Sequence, residues 1–509
     1  MLLAGLLHAA SLAWPANGAA LWWLQLLSLG SLCMALLRAP SAKAAAGYAM
    51  VFATTWLVGT FWWLFISMHT YGGLPAVLAA LAVLALAAFL GSYYAIASWG
   101  VVRLRWLHPA AAAVAFASCW TLAEMARGWL WTGFPWGAAG YAHVDGPLAS
   151  LPRLVGVYGT GFVAAWLAML LAQAVSTSLR RSLQWGLPLL LTVLALFVSA
   201  VWKEQVLSAE DALAQDRPML DVALLQGNIP QDVKFQPGEG IRLSLDWYGR
   251  ALSQPAASLV VAPETALPLL PHQLPDGYWD AISAPYRSEQ GGAPMHAAMV
   301  GMPLMDGRGY ANSVVGWQSG QQQDYRYDKH HLVPFGEFIP PMFGWFVRMM
   351  NIPLGDFVRG DLVQAPMYWK GERLAPNICY EDLFGEEIGA RFSDPSQAPT
   401  ILVNMSNIAW FGDTTAIDQH LHISRMRSLE FERPMLRATN TGATVSIDHR
   451  GVVTHQLDAM EQGVLLATTQ GRDHLTPYAR WVSTTGLWPL ACLCFAVLLF
   501  GWVCQNRRK

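Results

Sequence analysis

Long apolar segments separated by short polar loops fill the N-terminal part of the chain. Each is close to the ~20 residues that a helix needs to cross a bilayer, so the pattern predicts transmembrane helices. Seven precede residue 203, and the first is short and interrupted by Pro15; they lie at about 3–16, 19–37, 47–70, 74–99, 108–126, 153–177 and 184–202. An eighth is "TTGLWPLACLCFAVLLFGWVC". We therefore predict an N-terminal transmembrane domain at 1–202 and a C-terminal transmembrane helix with a short tail at 481–509.

Between 203 and 480 the pattern changes to short apolar runs that alternate with helical stretches. Runs such as "MLDVALLQGN" and "SLVVAPET" are typical of buried strands, whereas Leu421, Met426 and Leu429 recur at roughly helical spacing. Continuous apolar strands among helices favour a layered α/β domain with helices on its outer faces. We therefore predict a separate soluble domain at 203–480.

The composition agrees with a membrane protein. The chain is 54% hydrophobic and 13% charged and contains 24 tryptophans, which places it outside the range of ordinary soluble proteins. Its formal net charge is only -2. This balance gives no reason to expect nucleic-acid binding.

Basic residues in the short loops predict the orientation. They concentrate in alternate loops, which the positive-inside rule assigns to the cytoplasm. The soluble domain then lies on the other side, which in a bacterial inner membrane is the periplasm. The basic residues concerned are Arg38, Lys43, Arg103, Arg105, Arg180, Arg181, Arg507, Arg508 and Lys509.

Cys379, in "APNICYEDLFG", is a cysteine outside the apolar segments. A free cysteine is most often a small buried hydrophobe, but Cys379 ends a strand-like run, and Tyr380, Glu381 and Asp382 follow it. Reactive cysteines favour such edges, and an unpaired thiol is unusual in an oxidising compartment. A chemical role explains it better than packing. The other cysteines, in or beside apolar runs, are Cys33, Cys119, Cys492, Cys494 and Cys504.

Two other polar residues could meet Cys379 on one edge of the core. Glu264 follows "LVVAP" and Lys329 follows "QQQDYRYD". Each alone would be an ordinary solvated loop residue. Together with Cys379 they make a functional set, because a thiol with a pKa of ~8.5 needs a base and an attacked carbonyl needs a cation for its oxyanion.

Three motifs carry a family resemblance. In their order and spacing, "VVAPETALP", "YDKHHLVPFGEFIP" and "PNICYEDLF" resemble the Glu-Lys-Cys triad of the nitrilase (carbon-nitrogen hydrolase) superfamily, and "LLQGNIPQ", "NMSNIAWFGD" and "RMRSLEFERPMLRATNTG" extend the likeness. With spans on both sides, the chain resembles the membrane-embedded branch that transfers acyl groups in bacterial lipoprotein maturation. The implied fold is a multi-span α-helical membrane domain plus an α/β nitrilase-like α-β-β-α sandwich.

The resemblance implies a role for each matching residue. Cys379 would be the nucleophile, Glu264 the general base and then acid, and Lys329 the oxyanion donor beside the backbone N–H of Tyr380. Phe235 stands where relatives often carry Trp, and Ile408 where they often carry Asp, which puts polar substrate contacts of those side chains in doubt. The supporting or substrate-binding candidates are Glu337, Tyr380, Glu381, Asn312, Phe235 and Trp345.

The segment 340–357, "PPMFGWFVRMMNIPLGDF", is unusually rich in aromatic residues and methionine. It includes Trp345, and the sandwich core does not require it. One interpretation is an ordinary helix packed on the domain. The other is an interfacial flap that enters the lipid and gates the thiol.

The resemblance also implies the partners. They are a phospholipid acyl donor, a diacylglyceryl-modified lipoprotein acceptor and the bilayer of a bacterial inner membrane. We expect no cofactor and no metal, because no phosphate-binding glycine loop occurs and His330 and His331 lack ligand spacing. Two alternatives remain open: a membrane-tethered amidase that releases its thioester to water, and a lipid- or lipoprotein-binding membrane protein in which Cys379 is inert.

Overall fold

The structure is a computed structural model in which contacts divide the chain into two units. The first comprises Met1–Phe65, Ala76–Ala212 and Thr476–Lys509, and the second comprises Ile66–Pro75 and Leu213–Leu475. The described residues are all except 105–107, 177–178, 215–216, 237, 288–294, 322, 341–343, 345–356 and 508–509, and the side chains of 179–190 and 505 are also not described.

The first unit is helical. Its longer described helices are α1 (Leu2–Leu12), α2 (Trp22–Leu37), α3 (Ala42–Phe61), α4 (Ala76–Arg103), α5 (Pro109–Trp129), α6 (Pro152–Ser176), α7 (Leu179–Ala214), α12 (Pro477–Thr485) and α13 (Trp488–Asn506). Among the described residues, five helices are long and apolar enough to cross a membrane, and the pair α12 and α13, bent by 87°, adds a sixth if it is one span. The apolar helices α1 and α2 are shorter, with 11 and 16 residues. These helices are those of a membrane domain.

Two buried charged side chains of α5 form hydrogen bonds with the irregular segment between α5 and α6. Glu124 accepts a hydrogen bond from the backbone N–H of Ala139 at 2.7 Å, and Arg127 donates to the carbonyls of Phe134 and Trp136 at 2.9 and 2.6 Å. Backbone groups left unpaired in hydrocarbon are costly. Glu124 and Arg127 therefore satisfy the backbone where the helical pattern is broken.

The second unit contains two six-stranded sheets. Its strands are β1 (Leu220–Gln226), β2 (Leu259–Ala262), β3 (Ala297–Asp306), β4 (Gly309–Gln318), β5 (Tyr325–Asp328), β6 (Met367–Trp369), β7 (Glu372–Ile378), β8 (Ile401–Ser406), β9 (Met435–Thr439), β10 (Thr444–Ile447), β11 (Val453–Leu457) and β12 (Gly463–Thr469). The sheet orders are β12-β1-β2-β3-β4-β5 and β11-β10-β9-β8-β7-β6. In each, three adjacent parallel strands, β1 to β3 and β7 to β9, are flanked by antiparallel neighbours.

Helices cover the outer faces of this pair of sheets. They are α8 (Gly240–Ser253), α9 (Tyr278–Arg287), α10 (Gly385–Ala390) and α11 (Ala416–Phe431). One apolar cluster lies between the sheets and includes Val222 and Val261 from the first and Val403 from the second, all fully buried. Another joins the outer face of the first sheet to α8 and α9 through Tyr248 and Ile282, while α11 packs on β9. The predicted α-β-β-α sandwich is thereby confirmed.

The ends of three strands carry the predicted reactive residues. Cys379 directly follows β7, Lys329 directly follows β5, and Glu264 lies two residues beyond β2. Strands β2 and β5 belong to one sheet and β7 to the other. The site is therefore assembled from both sheets of the sandwich.

Candidate active site

Cys379 occupies a sharp turn. It is the first residue of a short 3₁₀ helix, Cys379–Leu383, directly after β7, and its φ of 52° is in the left-handed region. This conformation costs a residue other than glycine about 1–2 kcal/mol. The turn ends the buried strand abruptly, and Cys379 as a whole is intermediate in exposure.

Lys329 joins two carboxylates. Its Nζ lies 2.9 Å from Oε1 of Glu337 and 3.3 Å from Oε1 of Glu264, and its side chain is 1% exposed. The amide nitrogen Nδ2 of Asn312, on β4, donates to the same two oxygens at 2.7 Å each. The structure thus brings Glu264, Lys329, Glu337 and Asn312 into one hydrogen-bonded group.

The charges of this group determine the protonation of its lysine and of Cys379. Burial opposes the charge on Lys329, but Glu264 and Glu337 outweigh it and raise the lysine's pKa. Burial and then Glu264 raise the pKa of the Cys379 thiol, against the opposing effect of Lys329. At neutral pH the lysine is therefore a fixed cation, and the thiol is protonated and needs a base before it can attack.

The carboxylate of Glu381 connects two segments of the site through hydrogen bonds. Its carboxylate accepts hydrogen bonds from the Tyr327 hydroxyl at 2.8 and 2.9 Å, and from the backbone N–H groups of Ile378, His330 and His331 at 2.6, 2.7 and 3.2 Å. Two of these donors directly follow the predicted lysine, and Ile378 directly precedes the predicted nucleophile. Glu381 is 4% exposed, so it holds these segments together and offers little surface to a ligand.

Tyr380 and Phe235 have different surroundings. Tyr380 is 5% exposed, and its ring contacts those of His331 and Phe384 with centroids 5.6 and 5.3 Å apart. Phe235 is 38% exposed and stacks on Trp410 at 6.5 Å. Phe235 therefore belongs to an aromatic surface, outside the hydrogen-bonded group.

That aromatic surface continues into the segment Ile66–Pro75 of the same unit. The ring of Trp410 also meets Tyr71 edge-on at 5.8 Å. The predicted site residue Trp345 and nearly all of the segment 340–357 lie outside the described residues.

Two residues of the site were not singled out from the sequence. The backbone N–H of Asn407 donates to Oε2 of Glu264 at 2.9 Å, and Lys234, which is fully buried, donates to the backbone carbonyl of Glu264 at 3.4 Å. Burial lowers the pKa of Lys234 to about 7, although Glu264 opposes the shift. A signal existed, because Asn407 lies in "NMSNIAWFGD" and Lys234 follows "LLQGNIPQ", two motifs of the family resemblance.

No group of three or more His, Cys, Asp or Glu side chains suited to a metal ion occurs in the described part of the chain.

Family models match both parts of the chain. The model of the apolipoprotein N-acyltransferase N-terminal domain matches residues 4–170, and the carbon-nitrogen hydrolase model matches residues 221–474. An apolipoprotein N-acyltransferase from Verminephrobacter eiseniae is 57% identical over 502 residues, which cover 96% of this chain and 92% of the relative. One from Ralstonia nicotianae is 47% identical over 463 residues, 90% of this chain and 86% of the relative. A solved CN-hydrolase superfamily protein from Xanthomonas campestris is 18% identical, covering 53% of this chain and 96% of its own, with a TM-score of 0.34.

Proposed function

Since this chain belongs to the apolipoprotein N-acyltransferase family, we propose that it moves an acyl chain from a phospholipid, through a thioester on Cys379, to the α-amino group of a diacylglyceryl-modified lipoprotein. The observation that carries the proposal is the contact of one buried ammonium, Lys329, with two carboxylates. This arrangement supplies both a base and a fixed cation close to the thiol.

In the first step Glu264 takes the proton of the Cys379 thiol, whose raised pKa keeps it protonated at rest. The thiolate attacks the ester carbonyl, and the charge that develops on the carbonyl oxygen is stabilised by Lys329 and the backbone N–H of Tyr380. The C–O bond breaks as the C–S bond forms. The lysophospholipid leaves with the proton that Glu264 returns to it.

In the second step the neutral α-amine of the lipoprotein attacks the thioester. An α-amino group has a pKa near 8, so a useful fraction is unprotonated at neutral pH. Glu264 takes a proton from the attacking nitrogen while the C–N bond forms and the C–S bond breaks, and it returns that proton to the Cys379 thiolate. The enzyme then holds no acyl group.

Glu337 and Asn312 position this machinery. Glu337 is the nearer carboxylate to Lys329, at 2.9 Å. Asn312 bridges Glu337 and Glu264. With both carboxylates anchored to the same two donors, the ammonium cannot move away from the developing oxyanion without breaking several hydrogen bonds.

The membrane domain suits a lipid donor. At ~0.8 kcal/mol per methylene, moving a chain of about 15 methylenes into water would cost about 12 kcal/mol, as much as many chemical barriers. An acyl donor therefore has to reach the thiol from the bilayer. We propose, from the basic residues in the short loops, that the catalytic unit lies in the periplasm of a bacterial inner membrane.

The test is incubation of the purified protein with phospholipid alone. We expect one hydroxylamine-labile acyl group on Cys379 and release of lysophospholipid, because a two-step transfer runs its first half without the acceptor. A diacylglyceryl-cysteine peptide with a free amine should discharge the thioester, whereas its amine-blocked form should not. Glu264→Gln should slow thioester formation, because it removes the proton acceptor.

Full transfer activity in Cys379→Ala, or a thioester on another cysteine, would contradict the mechanism. Loss of the acyl group to water as free fatty acid, at a rate unaffected by the amine peptide, would favour the amidase alternative. Lipid binding with no covalent adduct in the wild-type protein would favour the binding protein.

A further inference from the structure

A buried polar cluster underlies the turn that carries Cys379. It lies outside the hydrogen-bonded group of Lys329, and the mechanism above gives it no role. Its members are Asp382, Asn404, His420, Ser424 and Arg437, and each is 0% exposed.

Asp382 is the centre of this cluster. Its carboxylate receives hydrogen bonds from Oγ of Ser424 at 2.6 Å, Nε2 of His420 at 2.9 Å and Nη1 of Arg437 at 3.4 Å. Burial would raise the pKa of Asp382, but the hydrogen bond from His420, the charge of Arg437 and the hydrogen bond from Ser424 outweigh it and lower that pKa. Asp382 is therefore an anion whose position is fixed from α11 and β9 together.

Arg437 extends the cluster to the first residue of the turn. It donates to Oδ1 of Asn404 at 3.2 Å, and Nδ2 of Asn404 donates to the carbonyl of Cys379 at 3.3 Å. The cluster thus holds the turn at the carbonyl of Cys379 and at the side chain of Asp382.

The partners of His420 determine its tautomer. Its Nδ1 lies 2.8 Å from Nη2 of Arg437, and a guanidinium can only donate, so Nδ1 is the acceptor. The proton is then on Nε2, which donates to Asp382. Burial and Arg437 lower the pKa of His420, in agreement with a neutral ring. Because both ring nitrogens are engaged, His420 does not serve as a base for the thiol of Cys379.

The turn requires such support because its first residue is strained. Cys379 has a φ of 52°, and strained residues other than glycine persist where the surrounding structure fixes them. A small displacement of a nucleophile has a large effect on rate, since about 1 Å can cost about 10²-fold.

We propose that Asp382, His420 and Arg437 form a positioning network that holds the turn 379–383 in its strained conformation and thereby accelerates formation of the thioester. The network reaches the backbone of the nucleophile through Asn404. This inference rests on the role proposed for Cys379.

The test compares two substitutions of His420 with a control on the same helix. His420→Leu removes the donor and the acceptor, whereas His420→Gln keeps an amide that supplies both. His422→Leu is the control, because His422 is also buried on α11 and contacts Arg425. The measurement is the rate of acyl-enzyme formation, by intact-protein mass spectrometry, over a range of phospholipid concentrations in the full-length protein.

We expect His420→Leu to lower the maximal rate about 10²-fold with an unchanged half-saturating phospholipid concentration, because the nucleophile is misplaced while binding is retained. The maximal rate of His420→Gln should be at least about tenfold higher than that of His420→Leu. The control should stay within about twofold of wild type. Rescue by glutamine and an unchanged half-saturating concentration separate positioning from a general loss of stability.

A milder substitution covers the case in which His420→Leu does not fold. Ser424→Ala removes the 2.6 Å hydrogen bond to Asp382 and should slow acylation about fivefold, the effect of about one hydrogen bond, without loss of the folded protein. Wild-type maximal rates in His420→Leu, or in Ser424→Ala if the former is unfolded, would overturn the network's role. Absence of any thioester in the wild-type protein would instead refute the proposed function, so the two failures are distinguishable.

Discussion

Replacing Lys329 by methionine tests whether its charge acts in catalysis or only in stability. The side chain is 1% exposed and contacts Glu264 and Glu337, so one ammonium faces two carboxylates. Lys329→Met leaves these carboxylates uncompensated, each 2.7 Å from the same nitrogen of Asn312. Breaking a buried ion pair in this way costs about 3–5 kcal/mol of stability. It should also lower the maximal rate of thioester formation by at least about 10²-fold, the effect of losing one oxyanion donor.

A second substitution separates these two losses. In Lys329→Met with Glu337→Gln, one positive and one negative charge are removed together, so the charge of the site returns to its original value. We expect this double variant to regain at least about 2 kcal/mol of the lost stability, because Glu264 no longer has an uncompensated neighbour. The rate should remain at least about 10²-fold below wild type, because the cation is still missing.

The assay pairs thermal unfolding in detergent with the maximal rate of acyl-enzyme formation from phospholipid. Lys370→Met is the matched control, because Lys370 is exposed and lies 5.9 Å from the ring of Trp369; it should change stability by no more than about 0.5 kcal/mol. Near-normal acylation in Lys329→Met would refute the electrophilic role. Recovery of activity in the double variant would show that Lys329 only balances charge.

Three further predictions concern other residues of the second unit. Lys234 has a folded-state pKa of about 7, below its unfolded value, so the unfolded state binds more protons above that pH and wild-type stability should rise toward about pH 10. Lys234→Met should be more stable than wild type at about pH 6 and should lack this rise, and melting temperatures of both proteins across about pH 6–9 measure the difference. Phe235→Ala should raise the half-saturating phospholipid concentration up to about tenfold with little change in maximal rate, because this exposed ring lies outside the hydrogen-bonded group; a loss confined to the maximal rate would contradict this. A cysteine replacing the exposed Arg308 should react with an impermeant reagent from the periplasmic side, and labelling only from the cytoplasm would overturn the proposed orientation.

The sequence predicted the strand ends well because burial leaves a clear pattern. Strands covered on both faces read as continuous apolar runs, so a polar residue such as Glu264 or Cys379 stands out where a run stops, whereas Lys329 follows the polar stretch "QQQDYRYD" and was found through its family motif. The spacing of Leu421, Met426 and Leu429 predicted a helix in this part of the chain, and the structure has α11 at Ala416–Phe431. The layered sandwich followed from these runs together with the motifs of the family resemblance.

The contacts of the site depend on which segments meet across the two sheets, and a one-dimensional pattern does not contain that information. Asn407 contacts Glu264 through its backbone N–H, a group that every residue except proline carries, so only its place in the motif "NMSNIAWFGD", and not its side chain, could have pointed to this contact. The family resemblance made Glu381 a supporting or substrate-binding candidate, and the structure adds that its carboxylate connects the Lys329 segment to the end of β7. His420 is far from Cys379 in the chain, and only the fold brings them together.

Two buried lysines next to Glu264 show why environment, and not residue type, decides which cation can act. Lys329 contacts two carboxylates, and its pKa is raised despite burial. Lys234 is equally buried, but its hydrogen bond goes to a backbone carbonyl at 3.4 Å, and its pKa is lowered to about 7. An oxyanion needs a positive charge that is present in every catalytic cycle. The lowered pKa makes Lys234 a poorer source of that charge, and the two carboxylates in contact with Lys329 support the proposed role of Lys329.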